Sequence, residues 1–323
     1  MKRLPPTVRL QEDDAVPTEP LFQTDWWFDA ATGGRWDMAT VLRDGEVVAS
    51  LPFQIGRRGG LRFIALPRYT RTVSPRLLVP PGKPVTRLGR SITLLGELMA
   101  SLPPHDRLEL TLTPGSQLEF PYVALGYLVS HNFTFVTQPH RSEDETWAGM
   151  EQKTRNVVAS AAKRLSLEQH SDLDRFIALA RAERGHAQNE HDFPAIRRIF
   201  EACAARGQSV ILSLRDEQGD AGACVLVWDN ERVYHWLSAR SPARAGAGGG
   251  SLLVWEGIKF ALQRGLTYDA DGFATTQSAL FLMRFGLEPV ARPVVSRGSR
   301  AWRLAFLVRT ALSPNRDDLF YRA

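Results

Sequence analysis

Apolar residues recur along this chain in two rhythms, one near the 3.6-residue period of a helix and one near the two-residue period of a strand. Positions 22–31, with Trp26, Trp27 and Phe28, predict a short helix that ends at Gly33-Gly34. A hairpin is predicted next, with strands over 37–42 and 47–54, because the Asp44-Gly45 pair tolerates the positive φ angles of a tight turn. A further strand is expected at 61–66. Val85, Leu88, Ile92, Leu95 and Met99 lie near helical spacing and predict a helix over 84–102, stopped by Pro103-Pro104. Strands at 108–112 and 133–137, with a helix at 117–127 between them, make the first half a mixture of α and β.

The polar run 139–145 is the expected boundary between halves. Beyond it a basic amphipathic pattern predicts one long helix over 146–165. Helices over 172–184 and 192–206 follow, with Leu173, Phe176 and Ile177 on one apolar stripe and Ile196, Phe200 and Cys203 on the other. Strands at 209–215, 221–228 and 232–238 read as a meander turning near Gly219 and at Asp229-Asn230. A glycine-rich run, 246–251, then opens a helix over 252–263. A strand at 267–271, a helix around 278–285 and a strand near 289–296 complete the pattern. The expected organisation is a flexible lead-in at 1–20, domains at 21–140 and 141–305, and a tail at 306–323.

Composition fits that division. A chain of 323 residues with 44% hydrophobic and 23% charged positions has material for two soluble cores. Forty Lys and Arg against 35 Asp and Glu favour anionic partners: phosphorylated substrates, coenzyme A, RNA or an acidic membrane surface. Arginines scattered over solvated faces would give the same charge. No apolar run approaches the ~20 residues of a membrane span, and the first residues lack the apolar core of a signal peptide, so a cytoplasmic protein is expected. Cys203 and Cys224 stand alone in apolar stretches, which predicts buried thiols rather than a disulfide or a zinc site.

The chemistry concentrates in the second half. Gly246, Gly248, Gly249, Gly250 and Ser251 precede a helix whose free N–H groups and positive dipole end attract phosphate oxygens. This is no Walker A loop, because no Gly-Lys-Ser/Thr follows, and no dinucleotide fingerprint, because a meander precedes it. Asp269 and Asp271 alternate onto one face of a short strand, where either carboxylate could orient or deprotonate an amine; a turn cap or a solvated acid has the same spelling. His235, between Tyr234 and Trp236, reads as packing. Tyr69, Arg68 and Arg71 are expected to line a cleft between the halves.

Several stretches together resemble the Fem family of peptidoglycan aminoacyltransferases and their relatives. Lys153–Lys163 is similar to the family's basic helix, and 253–265 with Tyr268-Asp-Ala-Asp-Gly272 to its helix–strand–glycine unit. Phe281-Leu-Met-Arg-Phe-Gly286 is similar to its closing motif, and Phe22-Gln-Thr-Asp-Trp-Trp27 to its opening. The order of meander, glycine turn, helix, strand, helix and strand is also that of the acetyltransferase fold.

The resemblance implies an α+β fold (mixed α/β) of two tandem GNAT-like domains, each a mostly antiparallel mixed sheet flanked by helices. It implies that the cations Lys153 and Arg155 face substrate phosphate. Where the family carries a lysine in the closing motif this chain has Leu282, so Arg284 or another cation must substitute. That departure, and the absence of a long paired-helix arm, turn the expectation from aminoacyl-tRNA toward acyl-CoA, with acetyl-CoA first. The activity implied is acyl transfer, by direct attack and without a metal, to an amine of an amino sugar or of an anionic cell-envelope or polysaccharide precursor. The alternatives are an aminoacyl-tRNA-dependent transferase acting on a peptidoglycan precursor, and a non-catalytic protein binding anionic glycan or nucleic acid. Association with the inner face of the membrane is part of the same expectation.

Overall fold

In the computed structural model, residues 20–138, 140–184, 191–244, 248–273, 275–300 and 302 are described. Thr24 opens helix α1 (Asp25–Thr32) by accepting the Trp27 backbone N–H, and left-handed Gly33 closes it. Strands β1 (Asp37–Arg43) and β2 (Glu46–Arg58) form the expected hairpin, with positive φ at both Asp44 and Gly45. Then come β3 (Leu61–Ala65), the short β4 (Arg76–Leu77), α2 (Pro84–Ser101), β5 (Arg107–Thr111), α3 (Glu119–Ala124) and β6 (Leu128–Val136).

The helix expected over 146–165 is two helices. A capping box of Ser142 and Glu145 opens α4 (Glu143–Gly149), Met150 is extended, and α5 (Gln152–Ala162) starts afresh. Met150 is buried, and the Arg155 guanidinium donates to the carbonyls of Ala148 and Met150 at 2.8 Å each, so the break is held from both sides. A strand not foreseen in the sequence, β7 (Ser166–His170), follows. The remaining elements fall close to expectation: α6 (Leu173–Arg184), α7 (Phe193–Ala204), β8 (Ser209–Asp216), β9 (Gly219–Trp228), β10 (Arg232–Arg240), α8 (Gly249–Leu262), β11 (Thr267–Asp269), α9 (Thr276–Met283) and β12 (Glu288–Gly298).

Among the described residues the strands join one sheet in the order β1-β2-β3-β5-β12-β6-β11-β10-β9-β8-β7, with β4 beside β2. The two halves exchange their last strands. β12 lies between β5 and β6 of the first half, and β6 carries the sheet on to β11 of the second. A boundary near residue 140 therefore divides the sequence but not the sheet. The β3–β5 and β10–β11 pairs are parallel, and the other pairings are antiparallel.

Three apolar clusters hold the layers together. One gathers α5, α8 and the facing strands around Val158, Leu253, Ile258 and Tyr268. A second packs α6 and α7 on the opposite face and takes in Phe22 and Trp27 from the first half, so α1 is built into the core of the second. The third lies under α2, around Leu51, Ile64, Leu95 and Leu108.

Candidate active site at the β10–β11 opening

Strands β10 and β11 pair in parallel only from Arg232 to Tyr234, against Thr267 to Asp269. Strand β11 then stops, while β10 continues to Arg240 and bulges between His235 and Leu237. The result is a wedge between two strands, with α8 beginning beyond its wide end. Gly248 caps α8 at φ 74, and Gly249, Gly250 and Ser251 form its first turn without a side-chain cap. Gly246 lies outside the described residues. A Cβ on Gly248 would stand 2.9 Å from Val157 Cγ1 and 3.4 Å from Ala161 Cβ, both on α5. This glycine thus answers to conformation and helix packing at once, and the half-exposed N–H groups after it form the anion-attracting end of the helix.

The two aspartates expected on one face do converge, but in different states. Asp269 is buried; it accepts from Thr134 Oγ1 at 2.5 Å and from the Asp271 N–H at 2.8 Å, and its other oxygen faces Arg292 at 2.9 Å and Arg232 at 3.5 Å. So many partners hold Asp269 fixed in place. Asp271 lies past the end of β11 in a left-handed conformation, φ 64. Its Oδ2 is paired with the Arg71 guanidinium; its Oδ1 is 3.5 Å from Arg292 but accepts no hydrogen bond. Burial pushes the Asp271 carboxyl up to about 6, against the pull of Arg71 and Arg292. Of the two aspartates it is the one that keeps an oxygen open.

Tyr69 and Arg71 come from the first half and meet the wedge. Arg71 bridges Asp271 to the Trp236 carbonyl, which it reaches at 3.1 Å in the β10 bulge. Tyr69, left-handed at φ 68, accepts the Trp236 indole N–H on its carbonyl at 3.2 Å and the Asp192 backbone N–H on its hydroxyl at 2.8 Å. The bulge, the Asp271 carboxylate and the first half are thus tied through one arginine and one tyrosine.

The opposite face of the wedge joins His235, which the sequence reads as packing, to Tyr268 and Ser238. The Tyr268 hydroxyl lies 2.7 Å from His235 Nδ1, and His235 Nε2 lies 2.6 Å from Ser238 Oγ. Tyr268 is fully buried, and its hydroxyl has no other partner among the described residues, so it donates to Nδ1; otherwise a buried O–H would go unmatched. That assigns the ring proton to Nε2, which donates to the exposed Ser238. Desolvation pushes the imidazole down to about 4, so it is neutral near pH 7. A Cβ on Gly257, inside α8, would stand 2.9 Å from the Tyr268 ring, which explains a glycine in mid-helix. Strand alternation had made His235 look like packing because its partner lies 33 positions away.

The other expected cations are used differently. Lys153 is exposed in the first turn of α5. Arg155 corrects an expectation: its guanidinium is committed to the carbonyls at the α4–α5 break and to Gln152 rather than free for substrate phosphate. Arg284 sits at the end of α9, 3.4 Å from Glu151, and its carbonyl accepts the Glu151 N–H. Leu282 is buried in the core around α8, an apolar residue in an apolar place. Both thiols are buried, and burial pushes Cys203 up to about 12. Among the described residues no group of three or more His, Cys, Asp or Glu is arranged to hold a metal ion.

Meander, bulge, glycine-capped helix and splayed parallel pair give the carboxyl-terminal half a GNAT fold. Residues 149–271 match the family model described as an acetyltransferase (GNAT) domain. Across both halves the chain has a double-GNAT fold. It superposes on a crystal structure of FemX with a TM-score of 0.63 at 13% identity, covering 86% of this chain and 92% of that one. A tandem GNAT protein from the clavulanic acid biosynthesis pathway gives 0.50 at 12%, over 85% and 88%. L-PGS from Bacillus licheniformis gives 0.52 at 11%, over 88% and 90%. Such identities speak for the fold alone. A search of the curated proteins found no match.

Proposed function

We propose that this protein transfers an acyl group from acyl-CoA to a primary amine of an amino sugar or envelope precursor in the cytoplasm. One observation carries the choice of donor. Strand β10 runs four residues past Trp236, whose carbonyl Arg71 ties to Asp271, to Arg240 beside Gly250; at strand rise that is roughly 13 Å. The phosphate-attracting start of α8 and Asp271 are therefore set apart along the wedge, as suits a donor whose phosphates and reactive carbonyl lie at opposite ends of a long arm. The solved tandem GNAT neighbour is described as determined without AcCoA, which favours the same donor.

In this reading the amine lone pair attacks the thioester carbonyl while the Asp271 carboxylate takes the amine proton, directly or through one water. The tetrahedral intermediate then collapses, the C–S bond breaks, and the electron pair leaves with sulfur. The thiolate takes its proton from solvent beside the exposed Ser238, whose hydroxyl is held by the His235 Nε2–H and donates a hydrogen bond to the sulfur. Arg71 positions Asp271. Lys153 remains available to an anionic acceptor.

A second reading, transfer from aminoacyl-tRNA, draws on the likeness to FemX. Mass-spectrometric and thermal-shift screening of acetyl-CoA and longer acyl-CoAs against charged tRNAs tests both. Acyl-CoA binding that Gly250→Asp weakens supports the first reading. Salt-sensitive tRNA binding with no response to any acyl-CoA overturns it in favour of the second.

A further inference from the structure

Helix α2 carries an apolar stripe of Val85, Leu88, Ile92, Leu95 and Met99 that only half enters the core. Leu95 and Met99 are 0% and 8% exposed, whereas Val85 and Leu88 are 75% and 38% exposed. Every residue from 80 to 90 is exposed, so the lead-in and first two turns of α2 stand clear of the fold. Leu78, 49% exposed, precedes them. Lys83, Arg87 and Arg90 occupy the face away from the stripe, and Arg76 lies at the foot of the lead-in.

Charge favours an anionic partner for this face. Positions 47–96 contain nine Lys and Arg and no Asp or Glu, in a chain whose overall excess is +5. The carboxylates that bracket the stretch are Glu46, whose strand runs beside Leu78, and Glu97, which is engaged by Arg43. The stretch 76–90 itself holds four cations and no carboxylate.

We infer that the first two turns of α2, with Leu78, dock this protein on an anionic lipid surface. Aliphatic side chains on one side of a helix and cations on the other are the pattern of a helix that lies in the headgroup layer. The aliphatics would enter the acyl boundary while the cations gain from the negative surface potential. Nucleic acid would use the cations but leave Val85 and Leu88 without a role. Continuity of the exposed stripe with the buried one gives the docked helix a rigid mount. No helix among the described residues is long and apolar enough to cross a membrane, and the attachment inferred is by a helix lying in the headgroup layer. The inference holds whichever donor the transferase site takes.

Co-sedimentation of the full chain with vesicles of phosphatidylcholine, alone or mixed with phosphatidylglycerol, tests it. Binding is expected on the mixed vesicles only, and to weaken with added salt. Val85→Gln with Leu88→Gln, and separately Arg87→Gln with Arg90→Gln, are each expected to weaken it roughly tenfold or more. Arg206→Gln, away from α2, is expected to leave it unchanged. Circular dichroism confirms that each variant folds; all four α2 side chains are exposed, so folding is not at stake. No binding by the wild type, or equal binding by all variants, overturns the inference. So does RNA binding that responds to the arginine pair while vesicle binding does not, or self-association that responds to the aliphatic pair alone.

Discussion

Asp271 holds three conditions that rarely meet in one side chain: a left-handed backbone, almost complete burial and an oxygen without a hydrogen bond. If it accepts the amine proton, the rate of transfer rises with pH through a midpoint near 6. Asp271→Asn keeps the left-handed conformation accessible and removes the carboxylate, so the expected outcome is a loss of kcat of ~10²–10⁴-fold and disappearance of that limb. A pH–rate profile of both proteins checks this.

Stability responds to the same residues with opposite signs. The Asp271 proton is held more tightly in the fold than its ordinary 3.8, so its contribution is full at low pH and is lost as pH rises through about 6. His235 resists protonation below its ordinary 6.5, so its contribution is present above 6.5 and is lost as pH falls toward about 4. Between pH 4 and 6 the two slopes oppose each other. Urea unfolding of Asp271→Asn should therefore show stability rising more steeply with pH than in the wild type, and that of His235→Gln should show it falling relative to the wild type.

The start of α8 concentrates the demands on an element. Gly248→Ala must place a Cβ against Val157 in a conformation that disfavours it, and is expected to cost ~1–3 kcal/mol of stability. Gly250→Asp meets nothing nearer than Arg240 Cδ at 3.8 Å, and a carboxylate suits a helix start, so stability is expected to hold. The same carboxylate repels phosphate, so acyl-CoA binding should fall at least tenfold, as calorimetry would report. One glycine thus tests packing and the other tests the ligand.

Elements written in local spacing were legible before the fold was known. The Asp44-Gly45 hairpin, the meander and the stripes of α6 and α7 need no distant partner to be recognised. The break at Met150 was not legible, since 146–165 is helix-compatible throughout and the interruption is decided by burial of Met150 and the reach of Arg155. Strand β7 is short and polar, and it exists because β8 offers it an edge. The glycine turn, the two aspartates and the Tyr69–Arg71 loop could be nominated from the sequence. That Arg71 grips Asp271 across 200 positions, or that Arg292 joins them, has no local signature.

At the scale of the molecule, the exchanged strands decide how it unfolds. With β12 between β5 and β6, and α1 in the core under α6 and α7, neither half has a complete sheet of its own. Calorimetry is expected to give one cooperative transition rather than two. Residues 1–140 and 141–323 expressed separately should each fail to show cooperative unfolding, and should regain it when mixed; two independent transitions would contradict the shared sheet.

The same interlacing bears on the chain as it leaves the ribosome. Strands β5 and β6 have both been synthesised by residue 136, yet the strand that separates them ends at residue 298. Until then the nascent first half presents two open edges with Phe133 and Phe135 beside them, a template for pairing with the wrong chain. Birth of this protein is therefore a long wait followed by a single closure, and its yield in a cell should depend on whatever shields those edges while the second half is being made.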